Sequence, residues 1–408
     1  MAHRHVSAAK SRPPTLRAPV KGGRTGRLFA VDIHCHILTP EAEALVKPHF
    51  RPETDPLFKF ASPETREVNR LQAQSICDRI TSVETRLKVM DKAGIDVQAV
   101  STAPSQYYYW TDPEIGRESA RLINDRIAAA VAAHPDRFVG LGTLPLQAPD
   151  LAVAELERCV KQLGMRGVEI ATNVQGIDLS DARFRRLWAK AEELGILVFM
   201  HPGGFSDGQR LAQHYLINVI GNPLESTIAV SHLIFGGVLD AYPKLKICVA
   251  HGGGYLAAYS GRMDHAHAAR SDCRLHIKRP PTRYLKKLYF DTIVFTHHQL
   301  EYLKDLYGAD HLLLGTDYPY DMGVDDPLGF IEGAPGLRRD EKAAIAGLNA
   351  ARLLKIRVPA KAGRAKKKSK AAPAKKPAAK KAAKAAGRAS SAKPQKARKL
   401  ATARRGRK

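Results

Sequence analysis

The chain has 408 residues, 44% of them hydrophobic, and a formal net charge of +25; that is an ordinary globular composition and enough chain for a sizeable core. Of its 65 Lys and Arg, 20 fall in residues 361–408 and 7 in residues 1–30, with no acid in either stretch, so the part between is within two charges of neutral and the basic balance is no evidence for a nucleic-acid-binding core. No apolar run is long enough to span a bilayer, and five scattered cysteines without a CxxC argue against a disulfide framework and for reduced thiols in a cytoplasmic protein. In chain order, residues 1–27 are basic and rich in Pro and Gly, with no apolar h-region. They are not a secretory signal; they read as a disordered arm, with an organellar transit segment as the alternative. From residue 28 short β-branched runs alternate with amphipathic stretches. The strand runs are 28–34, 96–102, 138–144, 167–172, 196–201, 246–251, 288–294 and 311–317. Between them, helical patterns such as 150–164 and 181–195 close with Gly, as helix C-termini often do. Strands alternating with helices imply parallel pairing through right-handed crossovers. Eight such units over residues 28–357 predict a (β/α)8 TIM barrel. A doubly wound open sheet is the alternative, weakened because no GxGxxG follows the first strand.

The stretch "VDIHCHILTP" (31–40) ends an apolar run in His34 and His36. Residues two apart on a strand point the same way, so both imidazoles project together and Cys35 turns away. Two convergent neutral imidazoles suit a divalent transition metal; a pair of surface histidines at a strand terminus is the plain alternative. The barrel decides between them, because its active sites sit at the C-terminal strand ends. Strand five ends at His201 in "FMHPGG", strand six at His251 in "VAHGGG" and strand eight at Asp317 in "LGTDYPY". Five ligand-type residues facing one mouth predict a metal centre. The glycines after His251 let backbone pass close to that centre; with no Lys-Ser/Thr following, they are not a P-loop.

The order HxH, His, His, Asp resembles the amidohydrolase superfamily. Over residues 28–356, "PLQAPDLAVAELERCVKQLGMRGVEI", "IFGGVLDAYPKLKICVAHGGGYLAAYSGRMDHA" and "LLLGTDYPYDMG" are similar to the branch of 2-amino-3-carboxymuconate-6-semialdehyde decarboxylase and its relatives. The resemblance implies that His34, His36, His201 and Asp317 hold one divalent ion, zinc in most of this branch. His251 is then the catalytic histidine beside the metal-bound water. Strand four offers Glu169 but no lysine to bridge two metals, which favours a single ion and makes Glu169 a supporting carboxylate. The implied reaction is decarboxylation of an unsaturated or aromatic carboxylic acid, a carbon–carbon lyase. Hydrolysis of a lactone or cyclic amide on the same water-activating site is the alternative. Arg262 in "SGRMDH" matches a family arginine that reaches a neighbouring subunit's site, which implies a homodimer and a small anionic substrate; a helix-surface salt bridge is the plainer reading.

The branch's tryptophan after the strand-five His-Pro is replaced here by "HPGGF", and its other substrate-binding arginine has no clear counterpart, since Arg79 lies nearby and Arg86 reads as a helix residue. "QYYYWTDPE" (106–114) offers aromatic walls for a ring, or ordinary loop packing. His265 and His267 repeat the HxH spacing on a helical pattern, where the two do not share a face, and are expected at the surface or a dimer contact. Residues 358–408 are Lys- and Ala-rich and cannot bury enough surface to fold. This tail is either a solubilising appendage or a nonspecific binder of nucleic acid or another polyanion. The competing class is therefore a polyanion-binding protein that keeps a barrel as scaffold; the full ligand set favours the enzyme.

Overall fold

The structure, a computed structural model, describes residues 27–359. The expected basic arm and the Lys/Ala-rich tail lie outside the described residues, apart from their inner ends. Eight parallel strands follow one another in chain order: β1 (Val31–Ile37), β2 (Val97–Thr102), β3 (Phe138–Gly142), β4 (Gly167–Ile170), β5 (Leu197–Met200), β6 (Lys246–Val249), β7 (Tyr289–Asp291) and β8 (Leu312–Leu313). Each pairs with the next. The ring closes between the ends: Ile33 N donates to Leu314 O at 2.8 Å and His36 N to Tyr318 O at 2.8 Å. The expected (β/α)8 barrel is borne out, with helices packed round the strands.

Several strands are shorter than their apolar runs, for local reasons. After Leu314 the chain leaves the ladder and crosses the barrel mouth, where Thr316 N and Asp317 N both donate to His34 O, at 3.2 and 2.8 Å. β7 stops at Asp291, whose own carboxylate accepts from Ile293 N at 3.1 Å and turns the chain. A two-stranded hairpin, Asn173–Val174 with Ile177–Asp178, follows β4.

The long insertion between β1 and β2 carries the helix Pro63–Thr81. Pro63 opens it and the Ser62 hydroxyl accepts from Thr65 N at 3.2 Å, so its start is capped. Ser82 caps the next helix, Val83–Ala93, which stops at Gly94 with φ +74°. A cluster of inner strand residues, among them Ile33, Ala99, Leu141, Phe199 and Leu313, packs on Ala350, Leu353 and Leu354 at the chain's last described helix. This plugs one end of the barrel with apolar side chains. The larger apolar cluster, containing Cys35, Trp188 and Leu233, lies between strands and helices. Polar side chains thus gather at the other end of the barrel.

Candidate metal centre

His34 and His36 leave the same face of β1, both fully buried. Their Nε2 atoms lie 3.1 Å apart, and Asp317 Oδ1 lies 3.2 Å from the first and 3.3 Å from the second. His201, at the end of β5, completes a set whose four ligand atoms all lie within 4.8 Å of one another. A tetrahedral ion with bonds of about 2.0–2.1 Å separates its donor atoms by about 3.3–3.4 Å. The separations among His34, His36 and Asp317 therefore fit an ion held between them, with His201 close enough to join. The hydrogen bonding points the same way: both ring nitrogens of buried His201 have no partner, an arrangement that costs free energy unless a cation accepts a lone pair.

The electrostatics are those of opposed charges packed without water. Burial raises the Asp317 carboxyl, but His34, His251 and His36 outweigh it and hold the group well below the usual carboxylate range. Burial lowers His34, and Asp317 and Asp291 overcome that, so its imidazole sits well above its ordinary value. His201 is driven well below its ordinary value by burial and by the neighbouring imidazoles. It is therefore neutral and ready to ligate.

Residues behind the ligands hold their orientation. Asp291 accepts from His34 Nδ1 at 2.6 Å, which turns Nε2 toward the centre. The same carboxylate accepts from His251 N at 3.0 Å and Gly252 N at 2.8 Å, so one side chain ties a ligand to the turn that carries His251. His36 Nδ1 is fixed by the Thr102 carbonyl at 2.8 Å. Asp32 accepts from Thr316 Oγ1 at 2.7 Å and Gln98 Nε2 at 2.9 Å, locking β1, β2 and the end of β8 together. Gln98 in turn accepts from Arg86 Nη1 at 3.1 Å, and Arg86 Nη2 donates to His36 O. Arg86, read from sequence only as a helix residue, is thus a fully buried strut. Glu169 is buried, accepts from Tyr107 Oη at 2.6 Å and has an oxygen 3.7 Å from His36 Nδ1. It stands behind His36.

His251 Nε2 lies 3.7 Å from Asp317 Oδ2, and its side chain keeps 16% exposure where the ligand histidines keep almost none. Both His251 and Asp317 have φ of +56°, a strained backbone for residues with a Cβ. The glycines after His251 are required: a Cβ on Gly253 would lie 2.6 Å from Phe290, and one on Gly254 would lie 2.2 Å from Pro223 O.

His201, His251 and Asp317 open on a cavity of about 300 Å³. One face of the helix Pro63–Thr81 lines it with Asn69, Gln72, Ala73, Ile76 and Ile80, spaced as neighbours on a helix surface. Tyr215, Tyr320 and Phe58 supply its aromatic rings. The aromatic run 107–110 does not: Tyr107 turns to Glu169, Tyr109 Oη accepts from Ala171 N at 3.3 Å, and the run lines an adjoining cavity that shares Asp55, Leu57, Pro104 and Ser105 with this one. Arg262 is exposed on the helix Leu256–Ala269 and does not line the cavity of its own chain. His267 is buried while His265 is exposed, which corrects the expectation that both lie at the surface; two positions apart on a helix, they face opposite sides. The arginine Arg79 lies over the Tyr318 ring, 5.2 Å from its centroid.

Sequence reasoning missed Asp291, Gln98, Tyr215 and the lining face of 63–81. Asp291 lies in the middle of the predicted run 288–294; the structure ends β7 there, and so puts it at a C-terminal strand end, from which a barrel presents functional side chains.

A sequence model of the family described as Amidohydrolase matches residues 31–356. A 2-amino-3-carboxymuconate-6-semialdehyde decarboxylase of Dictyostelium discoideum is 35% identical over 272 residues, covering 66% of this chain and 76% of its own. The solved 5-carboxyvanillate decarboxylase of Sphingomonas paucimobilis is similar with a TM-score of 0.73 at 27% identity, over 81% of this chain and 100% of that one. A dihydroxybenzoic acid decarboxylase of Polaromonas sp. JS666, solved with bound manganese and the inhibitor 2-nitroresorcinol, gives 0.69 at 25% identity, over 81% of this chain and 97% of that one.

Proposed function

The chain belongs to the amidohydrolase family and is an enzyme of its decarboxylating branch, and from that premise we propose that it removes the carboxyl group of an unsaturated or aromatic acid at one divalent ion held by His34, His36, His201 and Asp317. The observation that carries this reading is the set of four buried donor atoms within 4.8 Å, opening on a cavity that His251 also lines. When bound, the ion supplies a Lewis acid that polarises a substrate oxygen. Three imidazoles and a carboxylate suit zinc; manganese, present in the related dihydroxybenzoic acid decarboxylase, is the other ion this donor set accepts.

Decarboxylation breaks a carbon–carbon bond and leaves its electron pair on the substrate carbon, which must then gain a proton. His251 is assigned that proton. Its side chain lines the cavity, Asp317 Oδ2 lies 3.7 Å from its Nε2, and Asp291 holds its backbone. The imidazole would take a proton from water at the cavity mouth and deliver it to that carbon as carbon dioxide leaves, so the one proton the reaction consumes comes from solvent. Ile76, Ile80, Leu38 and Met322 give the cavity an apolar wall for the ring or polyene.

Arg262, being outside its own chain's cavity, serves the substrate carboxylate only across a homodimer. Exposed Tyr259 on the same helix, 68% accessible, supports an interface there. The five free cysteines support a cytoplasmic setting, and among the described residues no helix is long and apolar enough to cross a membrane. For the tail, outside the described residues, deletion of 361–408 is expected to leave turnover unchanged and to remove salt-sensitive binding to duplex DNA.

Elemental analysis of active protein tests the one-ion assignment. About one ion per chain is expected, lost in His34→Ala, His36→Ala and Asp317→Ala. Two ions per chain, both needed for turnover, contradict it.

A further inference from the structure

The cavity that adjoins the metal centre across Leu57 and Pro104 has a volume of about 390 Å³, and none of His34, His36, His201, His251 or Asp317 lines it. Much of its wall is the run 107–110. The Tyr107 and Tyr109 rings stack with centroids 5.7 Å apart, and Tyr108 and Trp110 meet edge to face at 6.1 Å. Gly203 and Gly204 add bare backbone: a Cβ on the first would lie 3.4 Å from the Tyr107 ring, and one on the second 3.1 Å from Leu57 N. Thr172, 1% exposed, belongs to the same lining, and its hydroxyl has no hydrogen-bond partner. We propose that this cavity is a second, non-reacting site for a planar ring carrying hydroxyl groups, such as the phenol that decarboxylation of a hydroxybenzoate leaves behind, and that its occupancy acts on the metal centre through Tyr107. The choice of that source for the ring rests on the decarboxylase reading; the site itself does not.

Aromatics that merely fill a loop close-pack and leave no space of this size beside them. Here four in succession border a volume at the lower end of small-molecule sites, about 300–1,000 Å³, which suits one ring, and aromatic walls favour a guest that stacks or meets them edge-on. The polar groups ask for a hydroxyl on that guest. A buried hydroxyl without a partner is disfavoured, so Thr172 Oγ1 gains from a group that can donate to it or accept from it. Ser206 Oγ, in the same wall, accepts from Asn173 Nδ2 at 3.1 Å and keeps its own proton to give. Charge does not choose the guest. Glu53, Lys59 and Asp207 are exposed and of both signs, and Asp55 is taken up in capping the helix Pro56–Lys59.

Tyr107 joins this cavity to the metal centre. Its ring lines the cavity, while its Oη donates to Glu169 at 2.6 Å and lies 3.5 Å from His201 O. Glu169 in turn has an oxygen 3.7 Å from His36 Nδ1. A guest that displaces the Tyr107 ring therefore moves the support behind two ligand histidines, and packed side chains pass such a shift on rather than absorb it. Occupancy is expected to lower turnover without blocking the substrate's own cavity, so it acts on kcat and not on KM.

The probe is resorcinol, which is neutral and has no carboxyl group to lose, added to the full-length, metal-loaded enzyme. Trp110 is one of two tryptophans, and the other, Trp188, is fully buried with its Nε1 donating to Leu179 O at 2.8 Å, so a change in fluorescence on titration reports Trp110. Saturable quenching is expected, and is expected to vanish in Trp110→Phe. Thr172→Val removes only the unpartnered hydroxyl from a near-isosteric side chain, and is expected to move the titration to about fivefold higher resorcinol. In assays of carbon dioxide release from 2,6-dihydroxybenzoate, resorcinol is expected to lower kcat over the range in which it quenches, and Thr172→Val to raise that range equally. No quenching, or quenching that Thr172→Val leaves unaltered, overturns the site. Resorcinol that raises KM and leaves kcat alone overturns the link through Tyr107. Quenching that Thr172→Val weakens, in metal-loaded protein that releases carbon dioxide from no acid, upholds the second site and defeats the decarboxylase reading alone.

Discussion

Replacing Asp291 by Asn removes one oxygen from a carboxylate that serves four donors. Oδ2 takes His34 Nδ1 at 2.6 Å and His251 N at 3.0 Å; Oδ1 takes Gly252 N at 2.8 Å and Ile293 N at 3.1 Å. An amide has one acceptor oxygen, so in either orientation its NH2 faces two donors. If the nitrogen faces His34, the imidazole loses the bond that aims Nε2 at the metal. If it faces Gly252, the turn carrying His251 loosens. Removing such a partner behind a metal ligand weakens metal binding about 10–100-fold, or about 1.4–2.8 kcal/mol. Each buried donor left without an acceptor costs about 1–3 kcal/mol of stability, so with two such donors Asp291→Asn is expected to lose about 2–6 kcal/mol on the same principle. Zinc competition against a chelating dye at fixed pH measures the first effect, and urea unfolding of the metal-free protein the second. A variant with wild-type zinc affinity and reduced stability would show that Asp291 braces backbone only. A variant unchanged in both would refute the reasoning.

Arg86→Leu leaves Gln98 and the His36 carbonyl without their buried donor and removes a cation lying 4.8 Å over the Tyr318 ring. About 3 kcal/mol of stability is expected to go, read as a lower urea midpoint, with weaker zinc binding because His36 shifts. His251→Ala is expected to retain its metal and to lose turnover by about a hundredfold or more; loss of the ion would make His251 a ligand. Mixing inactive His251→Ala chains with inactive Arg262→Ala chains is expected to restore part of the activity, since some hybrid sites then hold both residues. No recovery in verified heterodimers confines Arg262 to its own subunit.

The barrel and the cluster of His34, His36, His201 and Asp317 were legible because each rests on a local pattern. Apolar runs ending in His34, His201, His251 and Asp317 need only strand alternation and the polarity of a barrel to converge. What supports them is long-range. Asp291 and His34 are 257 positions apart, and no spacing rule links them. Arg86 and Gln98 meet the ligands only after β1 and β2 pair. The helix Pro63–Thr81 is mostly polar, so its apolar stripe of Ile76 and Ile80 gave little signal, yet its inner face walls the cavity. The run 107–110 offered either aromatic walls or loop packing, and no local pattern chose between them. Its three tyrosines are buried and Trp110 half-buried; Tyr107 faces a carboxylate in the barrel wall, and the phenols of Tyr215 and Tyr320 that line the cavity come from turns after β5 and β8.

The most direct measurement follows carbon, proton and metal together. A hydroxybenzoate labelled at its carboxyl carbon is incubated in heavy water with protein loaded to increasing metal content. Labelled carbon dioxide is expected in equal amount to a ring product carrying one deuterium at the vacated carbon. The rate is expected to rise in proportion to metal until about one ion per chain and to be absent from metal-free protein and from Asp317→Ala. Label retained in the acid while a lactone or cyclic amide is hydrolysed at the same site, or turnover undiminished without metal, contradicts the account.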